Sequence, residues 1–210
     1  MRHRFALCLL LVTSCCLAAH KDSTADYKSL VERARNGDQT VDFRRLRLAY
    51  ADSEAYDNAP DTDPQKKAMG KALKEKDFHA AIKNADKVLE SDYADMEAHY
   101  VESVAYRELN RTDLSDIHNF IYRALLKSIT ASGDGKSLET AFQVIQVHEE
   151  YVLLRSMGVG LPKQQSLVES KGHSYDKIVF NDPDNGQETV LYFNVDIPIK
   201  ARIVAVIACA

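Results

Sequence analysis

Two short stretches of the sequence bring together residues that can do acid–base or metal chemistry. VHEEY (147–151) places His148 next to Glu149, and GHSYD (172–176) contains His173 and Asp176. Imidazole and carboxylate groups are zinc ligands, and a histidine oriented by a carboxylate is a common general base. If the strands that carry both stretches are neighbours, four side chains converge into one catalytic or metal site: His148, Glu149, His173 and Asp176.

The same residues also fit purely structural roles. Carboxylates such as Glu149 favour the first turn of a helix because of the helix dipole, and His173 and Asp176 can hydrogen-bond a turn. The zinc-binding spacings His-x-x-His and His-Glu-x-x-His are absent, and no serine lies in a Gly-x-Ser-x-Gly stretch. The sequence therefore favours the structural interpretation, with no metal and no cofactor, and keeps the catalytic one as the alternative.

The stretch SGDGKSLETAF (132–142) resembles a phosphate-binding loop because a glycine, a lysine and a serine follow one another. The first glycine of such a loop belongs five positions before Gly135, where this chain has Thr130. The loop also needs a preceding strand, whereas this stretch follows a helical pattern. We therefore predict that Gly133 and Gly135 form a helix end and a tight turn, and that no nucleotide binds there.

The residues before Gly135 have the periodicity of helices. Amphipathic spacing predicts helices over 27–38, 41–56 and 114–135, with Asp42 as the N-cap of the second. The stretch DNAPDTDP (57–64) predicts a loop, because it contains two prolines and three aspartates and little to bury.

One long stretch has the spacing of a tetratricopeptide unit. Residues 76–113 carry Phe78, Ala81 and Leu89 at the positions where that motif has aromatic, small and apolar side chains. Further positions recur about 34 residues apart, which gives about two repeats. Because a solenoid normally needs three or more repeats to bury a continuous core, we expect this block to pack on the helices before and after it.

Paired helices of this kind form a concave face that takes up extended or helical segments of other proteins. The sequence therefore predicts a protein or peptide partner, and it leaves the oligomeric state open. Aromatic residues at these spacings also fit a helix core. The side chains that can lie along the face are His99, Tyr100, Tyr106 and Arg107.

After Gly135 the periodicity changes to that of strands. HEEYVLLRSMG (148–158) predicts one short helix, and NDPDNG (181–186) predicts a hairpin turn. Alternating stretches predict strands over 141–147, 164–170, 173–180 and 188–197. The expected fold class is α+β, with an N-terminal tetratricopeptide-like helical region packed with a C-terminal, mainly antiparallel β-sheet that carries one short helix.

The first twenty residues have the order of a secretory signal peptide. MRHR is basic, FALCLLLV is apolar, and CCLAA supplies small residues for cleavage. The stretch from Val12 to Cys15 resembles a bacterial lipobox, which makes Cys15 a lipidation candidate, and ordinary cleavage after Ala18 is the alternative. The sequence therefore predicts export to the periplasm or cell envelope, with membrane attachment only through a lipid anchor in the outer membrane.

Charge and cysteine content exclude some classes of protein. The chain has 27 basic and 31 acidic residues, for a net charge of −4. Such an acidic balance argues against a nucleic-acid partner. Of its four cysteines, three lie in the predicted leader and the fourth is Cys209. The folded body therefore has no disulfide framework and no thiolate metal site.

From the Tyr27 region to Pro198, about four-fifths of the chain, the order of segments resembles a bacterial family of domains of unknown function, numbered 4919. The stretches that carry the resemblance are DFRRLRLAY, SGDGKSLETAFQVIQVHEEY, GHSYD and LYFNVDIP. The resemblance implies an exported protein of the Gram-negative envelope, and it implies no activity and no catalytic residues. The predicted organisation is a signal peptide (1–20), a helical region (21–135), an α+β sheet region (136–198) and a tail (199–210) more apolar than the resemblance leads one to expect.

Overall fold

The computed structural model describes residues 22–201. The chain divides into two compact units, one ending at Ile117 and the other beginning at His118. The division falls inside one helix, α7 (Thr112–Thr130), whereas the sequence pattern changes after residue 135. The predicted signal peptide, the lipidation candidate Cys15 and the tail beyond residue 201 lie outside the described residues.

The first unit is helical. Besides the start of α7 it contains α1 (22–35), α2 (Phe43–Ala51), α3 (Glu54–Asp57), α4 (Asp63–Lys74), α5 (Phe78–Ser91) and α6 (Met96–Glu108). Asp42, Asp77 and Asp95 each accept a hydrogen bond from the backbone N–H three residues further on. These N-caps define where α2, α5 and α6 begin, and the one predicted at Asp42 is confirmed.

Two helix boundaries differ from the prediction. The helix predicted over 41–56 is two helices, because Ser53 ends one and begins the other: its Oγ donates to Tyr50 O at 2.7 Å and accepts from the N–H of Tyr56 at 3.4 Å. The predicted loop 57–64 is shorter, because α4 already begins at Asp63 with a proline in its first turn. Proline fits there since its missing N–H would have no partner within the helix.

Small side chains let α5 lie close to its neighbours. It packs against both α4 and α6, and α4 also contacts α6. Ala81 and Ala85 of α5 are fully buried. Met69 of α4 and Met96 of α6 have at most 1% of their surface exposed. Helix α5 begins at Phe78 and helix α7 begins at Thr112, 34 residues later. This spacing equals that of the expected repeat, although the repeat itself stays a prediction.

The second unit contains a four-stranded sheet in the order β1-β4-β3-β2. Its elements after α7 are β1 (Phe142–Gln143), α8 (His148–Ser156), β2 (Gln164–Ser170), β3 (His173–Asn181), β4 (Glu188–Asn194) and a last helix, α9 (196–201). The pairs β2–β3 and β3–β4 are antiparallel and β1–β4 is parallel. Ile178 and Phe193 are fully buried on one face of this sheet. The predicted α+β fold class is confirmed.

The strand predicted over 141–147 is wrong after its first residues. Pairing with β4 extends through Phe142 and Gln143, and the N–H of Val144 still donates to Asn194 O at 3.3 Å. The next amide, that of Ile145, points away from β4 and donates to Glu149 Oε2 at 2.8 Å. This hydrogen bond joins the last residues before the bend to the first turn of α8.

The turn between β3 and β4 has the conformation that its sequence predicts. Gly186 has a φ of 71°, as predicted for the turn between β3 and β4. There Asp182 Oδ1 accepts the N–H groups of Asp184 and Asn185 at 2.8 and 3.3 Å. Strand β4 ends three residues before its predicted end at 197, because α9 begins at residue 196. Within residues 22–201, no helix has both the length and the apolar character needed to cross a bilayer.

Candidate functional site

His173 and Asp176 lie on opposite faces of β3. Side chains of a strand alternate between its faces, so residues three apart cannot share one. The register places His173 opposite Ser170, and Asp176 opposite Leu167 and Phe193. The hypothesis that His173 and Asp176 converge in one site is therefore wrong.

His173 contacts a carboxylate that sequence reasoning missed. Its Nδ1 lies 2.7 Å from Asp196 Oδ2, while Asp196 Oδ1 accepts the N–H of Ser174 at 2.7 Å. Burial acts to raise the pKa of Asp196, but these hydrogen bonds and one from Asn194 outweigh it and lower that pKa. Because Asp196 lies 23 residues away in sequence, no local pattern pointed to it. The contact ties the start of β3 to α9 and leaves the imidazole mostly exposed.

Asp176 belongs to a different cluster, which consists of Glu150, Tyr151, Gln165 and Asp176. The side-chain amide of Gln165 donates to Asp176 Oδ2 at 2.7 Å and to Glu150 Oε2 at 3.3 Å. The hydroxyl of Tyr151 donates to Gln165 Oε1. Gln165 thus bridges two carboxyl groups and is held in one orientation by a tyrosine.

Glu150 is the buried member of this cluster, with no exposed side-chain surface. Burial raises its pKa to about 9, and the charge of Asp176, a hydrogen bond to Asp176 and the charge of Glu149 act in the same direction. At neutral pH Glu150 therefore keeps its proton. A neutral Glu150 avoids the repulsion that two neighbouring carboxylates would have.

The two remaining catalytic candidates lie at the start of α8. Glu149 is 2% exposed, and its carboxylate holds the N–H of Ile145. His148 is half-buried as the first residue of the helix. Among residues 22–201, no three histidine, cysteine or acidic side chains are arranged to hold a metal ion. The structure therefore does not assemble His148, Glu149, His173 and Asp176 into one site.

The predicted binding residues of α6 point in different directions. His99 is fully buried, its Nε2 lies 3.0 Å from Tyr93 O, and its ring meets that of Tyr93 edge to face at 4.8 Å. Its prediction as a surface binding residue is wrong, because the core of the helical unit encloses it. Tyr100 is 47% exposed and Arg107 is exposed, and their separation of seven residues places them on one face of the helix. Tyr106 is half-buried on the face that His99 occupies.

The helical unit has a groove between α1, α3 and the end of α5. It has a volume of about 460 Å³. Its floor consists of the buried side chains Tyr27, Leu89 and Tyr93, and half-buried Val31 forms one wall. Four charged and exposed side chains form the rim: Lys28, Glu32, Arg35 and Glu90.

The floor of this groove is held by contacts between distant parts of the chain. The N–H of Tyr93 donates to the hydroxyl oxygen of Tyr27 at 2.8 Å, 66 residues away in sequence. The Tyr27 ring lies 5.1 Å from that of Tyr50, and the Arg35 guanidinium lies 4.9 Å from the centre of the Tyr93 ring. Burial raises the pKa of Tyr93 to about 12, although Arg35 opposes this shift. The phenol groups are therefore neutral, and the floor is apolar and preformed.

Comparison with known families then gives one finding. The model of the family described as Domain of unknown function (DUF4919) matches residues 18–203. The chain belongs to this family. Comparison with curated proteins and with solved structures gives no match.

In this DUF4919 protein, the stretch SGDGKSLET forms a loop that folds back on itself. A Cβ on Gly133 would lie 2.2 Å from Thr140 O, and one on Gly135 would lie 2.4 Å from the Phe142 ring. Gly135 also has a φ of 70°, which a glycine adopts without strain. Asp134 Oδ1 accepts the Thr140 hydroxyl at 2.6 Å and the N–H of Lys136 at 3.0 Å. The glycines therefore have a packing role, and the absence of nucleotide binding stays a prediction.

Two other stretches that carry the DUF4919 resemblance surround the His173–Asp196 contact. GHSYD begins at Gly172, in the two-residue turn between β2 and β3, and continues into β3. LYFNVDIP covers the second half of β4 and supplies Asp196. Through Asp196, these two stretches connect the start of β3 to α9.

Proposed function

We propose that this DUF4919 protein is an exported protein of the bacterial cell envelope whose helical unit binds a segment of another protein. The binding site is the groove between α1, α3 and α5. The observation that supports the proposal is the preformed apolar floor of Tyr27, Leu89 and Tyr93 under an exposed rim. The order of residues in the leader supports export.

The size and lining of the groove fit an apolar anchor. A volume of about 460 Å³ lies within the range of ligand pockets, about 300–1,000 Å³. Aromatic side chains give a large contact area at a low cost in conformational entropy, and binding energy concentrates in such pockets. Because Tyr27 and Tyr93 are already hydrogen-bonded to each other, the floor needs no rearrangement to accept an apolar side chain.

The rim favours a protein segment over a small apolar molecule. It presents Lys28 and Arg35 as positive groups and Glu32 and Glu90 as negative groups. Charges of both signs around an apolar centre match a peptide that carries charged residues on either side of its anchor. Charged rim residues contribute to specificity and to the rate of association more than to affinity.

A photo-crosslinking experiment tests the proposal. Benzoylphenylalanine is placed at Lys28, which lines the groove, or at the adjacent exposed Ser29, which does not. After irradiation in cells of the natural host, we expect a discrete adduct with the probe at 28 and none with the probe at 29. A probe at Tyr100 reports on the outer face of α6.

A second substitution shows whether the adduct depends on the groove. Val31→Arg places a charge in the wall of the groove, and since Val31 is half-buried, we expect the fold to tolerate it. We expect the adduct at 28 to disappear, and the purified partner to bind about tenfold more weakly or worse. Equal adducts at 28 and 29 would contradict the proposal, as would binding unaffected by Val31→Arg. An adduct at Tyr100 alone would move the site to α6.

A further inference from the structure

Strand β2 forms one edge of the sheet, and it lacks the features that usually protect an edge. Among the described residues it pairs only with β3, in a continuous register from Gln164 to Ser170 without a bulge. Its sequence, QQSLVES, contains no proline and no lysine. Natural edge strands are usually short or carry proline, lysine or a bulge, because an open edge pairs with other chains. The edge of β2 is therefore open for pairing.

The hydrogen bonds of β3 show which backbone groups of β2 face outward. The N–H of Val195 donates to Ser174 O, so the even-numbered residues of β3 bond to β4 and the odd-numbered ones bond to β2. In the observed register, odd-numbered residues of β3 lie opposite even-numbered residues of β2. The N–H and C=O groups of Gln165, Leu167 and Glu169 therefore point away from the sheet.

We propose that β2 pairs antiparallel with β2 of a second copy of this chain, around a two-fold axis at Leu167. Leu167 is the central residue of the seven in β2 and one of its outward-bonding residues. The axis places Leu167 opposite Leu167 of the partner subunit, and Gln165 opposite Glu169 of the partner subunit. The outward backbone groups of Gln165, Leu167 and Glu169 in each copy then hydrogen-bond to those of the same three residues in the other copy. The edge is therefore complementary to itself.

The side chains along β2 fit this pairing. Leu167 is 55% exposed, and pairing covers its side chain with an identical one. The only charged residue of the strand is Glu169, and it meets a neutral residue. The same axis brings Lys163, just before the strand, close to Lys171 of the partner subunit. Each lysine has an acidic neighbour in its own chain: Lys163 Nζ is 3.1 Å from Glu188, and Lys171 Nζ is 3.9 Å from Glu139. Repulsion between the lysines of the two copies is therefore partly compensated.

Sedimentation equilibrium of the full chain purified from its host tests the proposal. We expect a concentration-dependent equilibrium between monomer and dimer. Leu167→Lys places like charges on the axis, and Glu169→Pro removes an outward N–H that β3 does not use. Each should raise the dimer dissociation constant by about tenfold or more. The matched control is Leu161→Lys, since Leu161 is 94% exposed and lies before the strand, and we expect it to behave as wild type.

Hydrogen exchange on the unaltered protein gives a readout that does not depend on variants. We expect the amides of Gln165, Leu167 and Glu169 to exchange more slowly as the protein concentration rises. A wild type that stays monomeric at every concentration would overturn the proposal, and so would a dimer that both variants leave intact. Protection of these amides that is independent of concentration would also overturn it, because the edge would then be covered within one chain.

Discussion

At the scale of the residue, the carboxyl group of Glu150 is buried in its protonated, neutral form. Its burial thus does not depend on a positively charged partner. Glu150 is fully buried beside Asp176, and the amide of Gln165 donates to both. The amide supplies two hydrogen bonds, and the proton on Glu150 removes the repulsion that two carboxylates would have. This cluster therefore depends on pH although it contains no histidine.

The first prediction concerns the pH dependence of stability. The pKa of Glu150 is raised from 4.5 to about 9 in the folded state. Its contribution to the free energy of unfolding is thus fully present below pH 4.5 and is lost as the pH rises through 9, by up to about 1.4 kcal/mol per pH unit. Glu150→Gln cannot ionise and should lose less stability between pH 5 and pH 9, as measured by urea denaturation. The exposed control Glu108→Gln should follow wild type, and parallel curves for all three proteins would refute the prediction.

The second prediction concerns metals at the two histidines. His173 is held by Asp196 and is separated from Asp176 by the thickness of the sheet, so we expect no metal site. Zinc, manganese and nickel should leave the melting temperature of wild type unchanged, because only a ligand that binds the folded state raises it. A rise with metal in wild type that disappears in both His148→Ala and His173→Ala would show that a site exists.

At the scale of the element, close packing of α5 depends on small side chains. Ala81 is fully buried where α5 meets its neighbours. Alanine at such a position sets the distance between helix axes, since a larger side chain has no space to occupy.

The third prediction enlarges this residue. Ala81→Leu should overpack the contact and reduce the free energy of unfolding by about 1–3 kcal/mol. Lys83→Leu introduces the same side chain at an exposed position of the same helix and should change stability by less than about 0.5 kcal/mol. Guanidinium denaturation monitored by circular dichroism measures both. Equal midpoints for the two variants would mean that α5 is not closely packed at Ala81.

Sequence patterns predicted elements better than they predicted contacts. The cap at Asp42 and the strands near 164–170 and 173–180 follow from local residue types, and they are confirmed. The strand predicted over 141–147 failed because alternating apolar residues do not show where a chain leaves a sheet: here it bends after Val144, where Glu149 accepts the N–H of Ile145. Strand alternation alone would have separated His173 from Asp176, so that error was avoidable.

Contacts between distant residues were beyond local patterns. Tyr27 and Tyr93, which form the floor of the groove, are 66 residues apart, and neither has a motif that marks it as a binding residue. His99 was misplaced because α6 buries polar as well as apolar residues, among them Glu102 and Ser103, so polarity does not mark its exposed face. Asp196 was missed because only the folded sheet brings it to His173.

At the scale of the whole molecule, the fourth prediction concerns the mature chain. The leader predicts that the native protein begins at Cys15 or just after Ala18. Mass spectrometry of the protein from its host should find one of these termini, and an intact Met1 would refute export by this route. A diacylglycerol mass on Cys15 that is lost in Cys15→Ala would identify the lipoprotein form.

The two edges of the sheet differ, and the difference limits how copies of the protein can assemble. Beyond the end of β4, the backbone is already bonded: Tyr192 donates to Gly135 O, and Phe193 and Asn194 pair with β1. Growth of a fibre from folded molecules needs two open edges on each molecule, so that every copy added offers a new one. Within the described residues, β2 is open along its whole length, whereas the end of β4 is covered. Association through β2 therefore ends after a single step. In a sheet with two open edges the same strand would seed filaments, whereas here it can give a soluble, finite complex.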